Sequence, residues 1–182
     1  MGKVSFDFIL AIALLLAVFP LILIALLAAS ISTRSSGIFK QIRIGQHGML
    51  FTIYKIQTMK NGRVTRIGKF LRKTKIDELP QLFNILLGDM SFVGPRPDVP
   101  GYYDQLKSDD RRVLNLKPGL TSLAAIKYRN EEQLLAQQPN PLKYNDDVIF
   151  PDKVKMNLEY LENRSFWYDI KIIFLTIKSL FN

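Results

Sequence analysis

KIDELPQLFNILLGDMSFVGPRPD, residues 75–98, sets two adjacent carboxylates, Asp77 and Glu78, at the head of an apolar run and follows that run with Gly94-Pro95-Arg96-Pro97. Leu79, Leu82, Phe83 and Leu86 recur at three- and four-residue intervals, so residues near 77–87 are expected to form a helix packed by that face. Pro80 fits only its first turn, which puts Asp77 and Glu78 at the N-terminal end, where unpaired amides favour negative charge. Ionised there, with a depressed pKa, the carboxylates can act as nucleophile or metal ligand. An ordinary helix cap is the competing reading. Adjacent residues do not share a helical face, so a cooperating pair requires irregular backbone, which Pro80 gives reason to expect. Two prolines flank Arg96 and limit its backbone freedom. Its guanidinium fork suits phosphate oxygens, with a structural salt bridge as the alternative.

Immediately upstream, RVTRIGKFLRKTK, residues 63–75, carries six basic side chains. Arg66, Lys69, Arg72 and Lys73 share helical spacing, and Ile67, Phe70 and Leu71 supply an apolar side. Such a segment can lie on a membrane surface or face a bound phosphate; plain solubility explains the charge equally well. Before it, IFKQIRIGQHGMLFTIYKIQTM reads as short strands around a turn. Lys40, Arg43 and Lys55 can line an anion-binding face there, or a solvated strand face. His47, the single histidine, reads as a loop residue.

From Phe8 to Ala29 no charged side chain occurs, and as a helix this run rises about 33 Å, enough to cross a hydrocarbon core. A cleaved signal peptide and a buried core helix are the competing readings. Pro20 interrupts the run and is expected to kink it, bending a spanning helix or turning the chain back as a re-entrant element. Arg34, Lys40 and Arg43 follow, which predicts a cytoplasmic location for the rest of the chain.

Downstream, residues 101–115 read as an exposed helix, and Pro118-Gly119 marks a turn before Lys127 and Arg129, two further candidates for phosphate contact. Residues 131–153 are polar, contain Pro139, Pro141 and Pro151, and read as a segment with a mobile loop. There Asp146 and Asp147 can bind a cation or sugar hydroxyls, or simply face solvent. Phe166, Ile170, Ile173, Phe174, Ile177 and Phe181 recur at helical intervals, while Asp169, Lys171 and Lys178 argue against a second spanning segment. A helix on the membrane surface, or docked on the domain, fits better.

The chain has 182 residues, a net charge of +9 and no cysteine, so disulfides and cysteine metal sites are excluded. The charge attracts anions without choosing among lipid, nucleotide and nucleic acid, but no nucleic-acid-binding motif accompanies it.

Taken together, FDFILAIALLLAVFPLILI, GIFKQIRIGQHGMLFTIYKIQTM, IGKFLRKTKIDELPQLFNILLGDMSFVGPRP, LKPGLT and RSFWYDIKIIFLTI closely resemble the bacterial sugar transferases, the small monotopic polyprenyl-phosphate phosphoglycosyltransferases. The resemblance implies an α/β fold: a compact cytoplasmic domain, residues 32–182, with an N-terminal re-entrant membrane helix-break-helix, residues 1–31, and interfacial amphipathic helices. It implies transfer of a sugar-1-phosphate from a UDP-sugar to polyprenyl phosphate (undecaprenyl phosphate), through a sugar-phosphoryl-aspartate and with release of UMP. This would initiate glycoconjugate assembly at the cytoplasmic face of the bacterial inner membrane. Asp77 matches the nucleophile, Glu78 the residue that helps hold Mg2+, and Arg72 and Arg96 the phosphate-binding arginines. Membrane lipid is an implied partner, with a homodimer or downstream glycosyltransferases as further candidates and no nucleic acid. The rival reading is a catalytically degenerate membrane scaffold subunit. Three departures stand out: Phe19 precedes the bend proline where many members have Ser, Val4-Ser5 replace a basic pair, and Ser122-Leu123 stand where glycine-tryptophan is common.

Overall fold

The computed structural model describes residues 2–180, which form a mixed helix-and-strand protein. The chain divides into two units, Met1–Arg43 with Leu50–Met90, and Ile44–Met49 with Ser91–Asn182. The sequence candidate Phe181 lies outside the described residues.

The first unit begins with α1, Lys3–Thr33, helical through Pro20 and long and apolar enough to cross a bilayer. Most of its surface is exposed, with Leu16, Ile24, Leu27 and Ile31 among the bared side chains. Its buried stripe is Ile22, Ala25, Ala29 and Thr33, one helical face. Ala25 and Ala29 pack against Ile56 and Leu71, with Leu26, Ile67 and Ile76 at the margin. Their small side chains let the neighbouring elements approach the α1 backbone.

The chain then forms β1, Ile38–Ile44, a single turn at Gln46–Gly48 in which His47 takes φ 59°, and β2, Leu50–Ile56. β1 and β2 pair, in line with the short strands around a turn that the β-branched and aromatic residues beside Gly45 and Gly48 predict. A small hairpin follows, β3, Met59–Lys60, against β4, Arg63–Val64. α2, Arg66–Lys73, a turn at Ile76–Glu78, and α3, Gln81–Leu86, complete the unit.

The second unit is built on two parallel strands, β5, Ser91–Val93, and β6, Gly119–Thr121, with Ser91 opposite Gly119 and Val93 opposite Thr121. Gly94 and Gly119 pack backbone to backbone. A Cβ on Gly119 would lie 2.1 Å from the Gly94 nitrogen, and one on Gly94 would lie 2.2 Å from the Lys117 carbonyl oxygen. Two sequence motifs, GPRP and LKPGLT, are therefore the two sides of one crossing.

Residues 101–115 differ from the exposed helix expected. Gly101 at φ 109° and Ser108 at φ 50° break the segment into 3-10 turns, Tyr103–Gln105 and Ser108–Asn115. Tyr103, Val113 and Leu114 are buried with Ile44 and Val154, so core burial rather than helical hydrogen bonding organises this stretch.

Residues 131–153, read as a segment with a mobile loop, are mostly helical, with residues 137–140 outside helix. After α4, Leu123–Lys127, come α5, Glu131–Ala136, α6, Pro141–Tyr144, a π-turn at Asn145–Ile149, and the start of α7, Phe150–Asn163. Pro141 and Pro151 sit in first turns, where no amide donor is needed, Pro139 lies in the bend before α6, and the Asn140 side chain caps α6 by accepting from the Lys143 amide at 3.0 Å. Lys153 to Glu131 and Lys127 to Asp152, both at 2.7 Å, tie these helices together. Nearby, Asp146 accepts a hydrogen bond from the Tyr102 hydroxyl at 3.1 Å.

α8, Phe166–Leu180, is held to α7 and to β6 by polar pairs. The Tyr160 hydroxyl donates to buried Asp169 at 2.5 Å, and Thr121 and Thr176 share a hydrogen bond of 2.6 Å. Phe166, Trp167, Phe174 and Ile177 remain exposed on this helix.

Candidate active site

The site in the first unit is set by how α2 and α3 are joined. Thr65 caps α2, its hydroxyl accepting from the Gly68 amide at 2.9 Å. Gly68 lies against the chain at Thr58, where an added Cβ would come within 2.1 Å of the carbonyl oxygen. This contact brings the next turn of α2 within reach of the same residue, and the Arg72 Nε donates to the Thr58 hydroxyl at 2.9 Å. Lys75 then takes φ 58° and turns the chain.

Asp77 and Glu78 do not begin the apolar helix, as the spacing predicted; they occupy the separate 3-10 turn Ile76–Glu78, and α3 starts at Gln81. Pro80 explains the difference. In a continuous α-helix its nitrogen would donate to the Ile76 carbonyl, and proline has no hydrogen to give. The Leu79 amide takes that acceptor at 3.2 Å, in the tighter 3-10 pattern.

Both carboxylates are buried, and Glu78 Oε1 accepts from Lys55 Nζ at 3.3 Å. Burial pushes the Asp77 carboxyl above its ordinary range and the neighbouring Glu78 adds to the effect, opposed by Lys55, Lys75 and Arg72. This corrects the expectation of a depressed value. A three-residue turn lacks the aligned amides of a long helix, and removal of water from the ionised form dominates.

Three buried atoms in this unit, Arg43 Nε, Asp77 Oδ1 and Gln81 Nε2, have no hydrogen-bond partner among the described residues, and the last two lie four residues apart in the chain. Gln81 was not singled out from sequence; the signal available was its position four residues beyond Asp77, one helical turn along. Lys55 had been visible only as one basic residue of a strand face.

The structure thus gathers Asp77, Glu78 and Arg72 with Lys55 and Lys75. Arg96 and Arg129 belong to the second unit. Arg96 is exposed between buried Pro95 and Pro97, on the turn anchored where the Gly119 amide donates to the Pro95 carbonyl at 2.8 Å. Arg129 follows α4 and donates to the backbone carbonyl of Ser179, near the C-terminal end of α8.

Comparison with known proteins bears on this arrangement. The family model described as Bacterial sugar transferase matches residues 1–182. A UDP-glucose:undecaprenyl-phosphate glucose-1-phosphate transferase of Klebsiella pneumoniae is 35% identical over 94% of the chain and 38% of its own length. An undecaprenyl-phosphate galactose phosphotransferase of Salmonella typhimurium is 33% identical over 97% of the chain and 40% of its own length. The chain therefore spans well under half of either relative. The uncharacterized sugar transferase EpsL of Bacillus subtilis is 34% identical over 98% of the chain and 86% of its own length. With the whole length of the chain matched and the carboxylate pair of residues 75–98 set among cations, this protein belongs to the bacterial sugar transferase family.

Proposed function

We propose that the protein transfers a sugar-1-phosphate from a UDP-sugar to polyprenyl phosphate, with undecaprenyl phosphate as acceptor, and so initiates assembly of a bacterial glycoconjugate. The observation that carries this reading is Asp77: a buried carboxylate whose Oδ1 is without a hydrogen-bond donor, beside Glu78 and within the field of Lys55, Lys75 and Arg72. A nucleophile toward a phosphoryl group needs an available lone pair and cations to offset the repulsion between two anions. The names of the relatives, which pair undecaprenyl phosphate with glucose or galactose, support the substrate class.

In the proposed reaction an Asp77 oxygen attacks the β-phosphorus of the UDP-sugar. The bond from that phosphorus to the bridging oxygen breaks, its electron pair leaves with UMP, and the sugar-phosphoryl group is held as an acyl phosphate on Asp77. A phosphate oxygen of the acceptor then attacks the same phosphorus and Asp77 departs as a carboxylate. Burial deprives the ionised carboxylate of solvating water, which makes it a stronger nucleophile. Arg72 is proposed to hold phosphate oxygens, and Arg96 and Arg129 to contribute further contacts; a guanidinium has five donors, so the bond to Ser179 leaves Arg129 others.

The residues present fit Mg2+. The Glu78 carboxylate, buried beside Asp77, is a hard oxygen donor, and no group of three or more potential metal-binding side chains occurs among the described residues. Magnesium is ordinarily held by one or two carboxylates together with substrate phosphates and water. When bound, it would offset charge on the diphosphate.

The acceptor reading has its own support. A cavity of about 320 Å3, lined by Ile22, Leu26, Ile38, Tyr54, Phe83 and Leu87, reaches Pro80, two residues past Glu78. Its apolar walls suit the first isoprene units of a lipid-borne substrate. α1 is proposed as the membrane anchor, re-entrant at Pro20 and leaving the site on the cytoplasmic face, with α2 and α8 lying at the interface. The continuity of helix through Pro20 favours, as a second reading, an anchor that spans. Cysteine-accessibility labelling that places the two ends of α1 on opposite sides would decide for spanning.

The functional test is UMP release in lipid nanodiscs containing undecaprenyl phosphate, with Mg2+ and a panel of UDP-sugars, alongside Asp77→Asn. Release that requires one sugar, the metal and Asp77 is expected. Undiminished release by the Asn variant would remove Asp77 from the nucleophile's role.

A further inference from the structure

We infer that Gln81 is a transition-state hydrogen-bond donor, its side-chain amide binding a non-bridging oxygen of the phosphorus attacked by Asp77. The inference rests on the transferase reading above and names a residue that this reading does not use.

Two orphaned groups of opposite character occur four residues apart in the chain. Asp77 Oδ1 is an acceptor without a donor, and Gln81 Nε2 is a donor without an acceptor, both among the described residues. Gln81 is only 3% exposed and Asp77 8%. Between them Leu79 and Pro80 have helical backbone angles, and the bonds from Leu79 to Ile76 and from Leu82 to Leu79 keep the chain tightly wound, so residues 77 and 81 lie little more than one turn apart. Buried polar groups are ordinarily satisfied, and a donor and an acceptor this close in sequence would be expected to satisfy one another. Keeping both open costs stability, a trade found where a ligand supplies the missing partners.

A phosphoryl group supplies both. Its phosphorus accepts the Asp77 lone pair, while a non-bridging oxygen on that phosphorus lies close enough to the attacking atom to reach a donor one turn away. The amide is neutral, so it can bind this oxygen without forming the ion pair that would occupy the nucleophile. No proton is transferred: the new bond is Asp77 oxygen to phosphorus, the broken bond is phosphorus to the UMP oxygen, and Gln81 stabilises negative charge on the oxygen between them. A donor placed where charge develops typically contributes about a hundredfold or more to rate.

The test uses the full chain in nanodiscs. Gln81→Met keeps length and apolar packing but removes the donor; Gln81→Glu keeps shape and replaces the amide by a carboxyl group. UMP release is measured with undecaprenyl phosphate and a panel of UDP-hexoses and their N-acetyl forms, and melting is followed on the ligand-free protein. The expected result is melting within about 2 °C of wild type for Q81M, because an unsatisfied amide is lost, together with about a hundredfold lower kcat for both variants and little change in KM. Turnover within about threefold of wild type in either folded variant would overturn the inference. So would a loss of turnover accompanied by a fall in melting temperature of about 10 °C or more in both, which would make Gln81 structural. Absence of UMP release from the wild type with every donor would instead sink the transferase reading on which the inference stands.

Discussion

The side-chain oxygen of Asn84 accepts a hydrogen bond from the Tyr54 amide at 3.1 Å, and the same carboxamide donates to the Thr52 carbonyl at 2.7 Å. A fully buried side chain on α3 thereby supplies the edge of β2 with the donor and acceptor a further strand would have offered. Lys55 is the next residue along β2, so this clip also helps fix the cation that meets Glu78.

Replacing Asn84 with Leu leaves the Tyr54 amide and the Thr52 carbonyl without that partner. A loss of about 2 kcal/mol is expected, since a stranded buried group costs roughly 1–3 kcal/mol and these two are half-buried. Chemical denaturation in detergent measures it. A variant as stable as the wild type would show that the clip contributes nothing.

Asp77→Asn should reduce UMP release by a factor on the order of ten thousand or more, the scale of removing a nucleophile. It should also stabilise the folded protein at neutral pH. Burial raises the Asp77 carboxyl above its ordinary 3.8, so the folded state disfavours the ionised form. The contribution of this group to stability is complete below 3.8 and is lost as pH rises through the folded value. The advantage of the Asn variant should therefore be largest near pH 8 and shrink on acidification, as melting curves across that range would reveal. An advantage that grew toward acid would contradict the assigned direction.

Gly119→Ala would place a methyl group 2.1 Å from the Gly94 nitrogen, in a backbone-to-backbone contact where no flexible side chain can give way. Destabilisation on the order of 3 kcal/mol or more is expected. Limited proteolysis should show earlier cutting in the second unit, and resistance equal to wild type would mean that the crossing relaxes freely.

Leu26→Trp narrows the apolar cavity that Leu26 lines. If that cavity receives the isoprenoid, KM for undecaprenyl phosphate rises about tenfold, the loss of roughly 1.4 kcal/mol of binding. The first half-reaction, one equivalent of UMP released without acceptor, is expected to remain. Equal loss of both would assign the effect to the fold.

Much of the arrangement was legible in sequence because it rests on local rules. The uncharged run of α1, the β-branched and aromatic residues of β1 and β2 around two glycines, and the basic and apolar spacing of α2 each follow from near neighbours. Two prolines of residues 131–153 misled, because Pro141 and Pro151 start helices, and only the surrounding caps and ion pairs distinguish a first-turn proline from a breaker such as Pro139. Residues 101–115 misled for another reason: Tyr103, Val113 and Leu114 are organised by burial against Ile44 and Val154, residues distant in sequence.

By itself, then, the amino-acid sequence determined the apolar helix α1, the strands around Gly45 and Gly48 and the adjacency of Asp77 and Glu78, since these depend on chain chemistry and short-range pattern. Tertiary structure alone decided that Lys55 meets Glu78, that Arg72 binds Thr58, that GPRP and LKPGLT cross at two glycines, and that Asp77 is pushed up rather than down. The physical reason is common to all four. Burial and contact between residues far apart in the chain set these energies, and a carboxylate adjacent to helix-forming residues carries no local mark of how much water the fold will take from it.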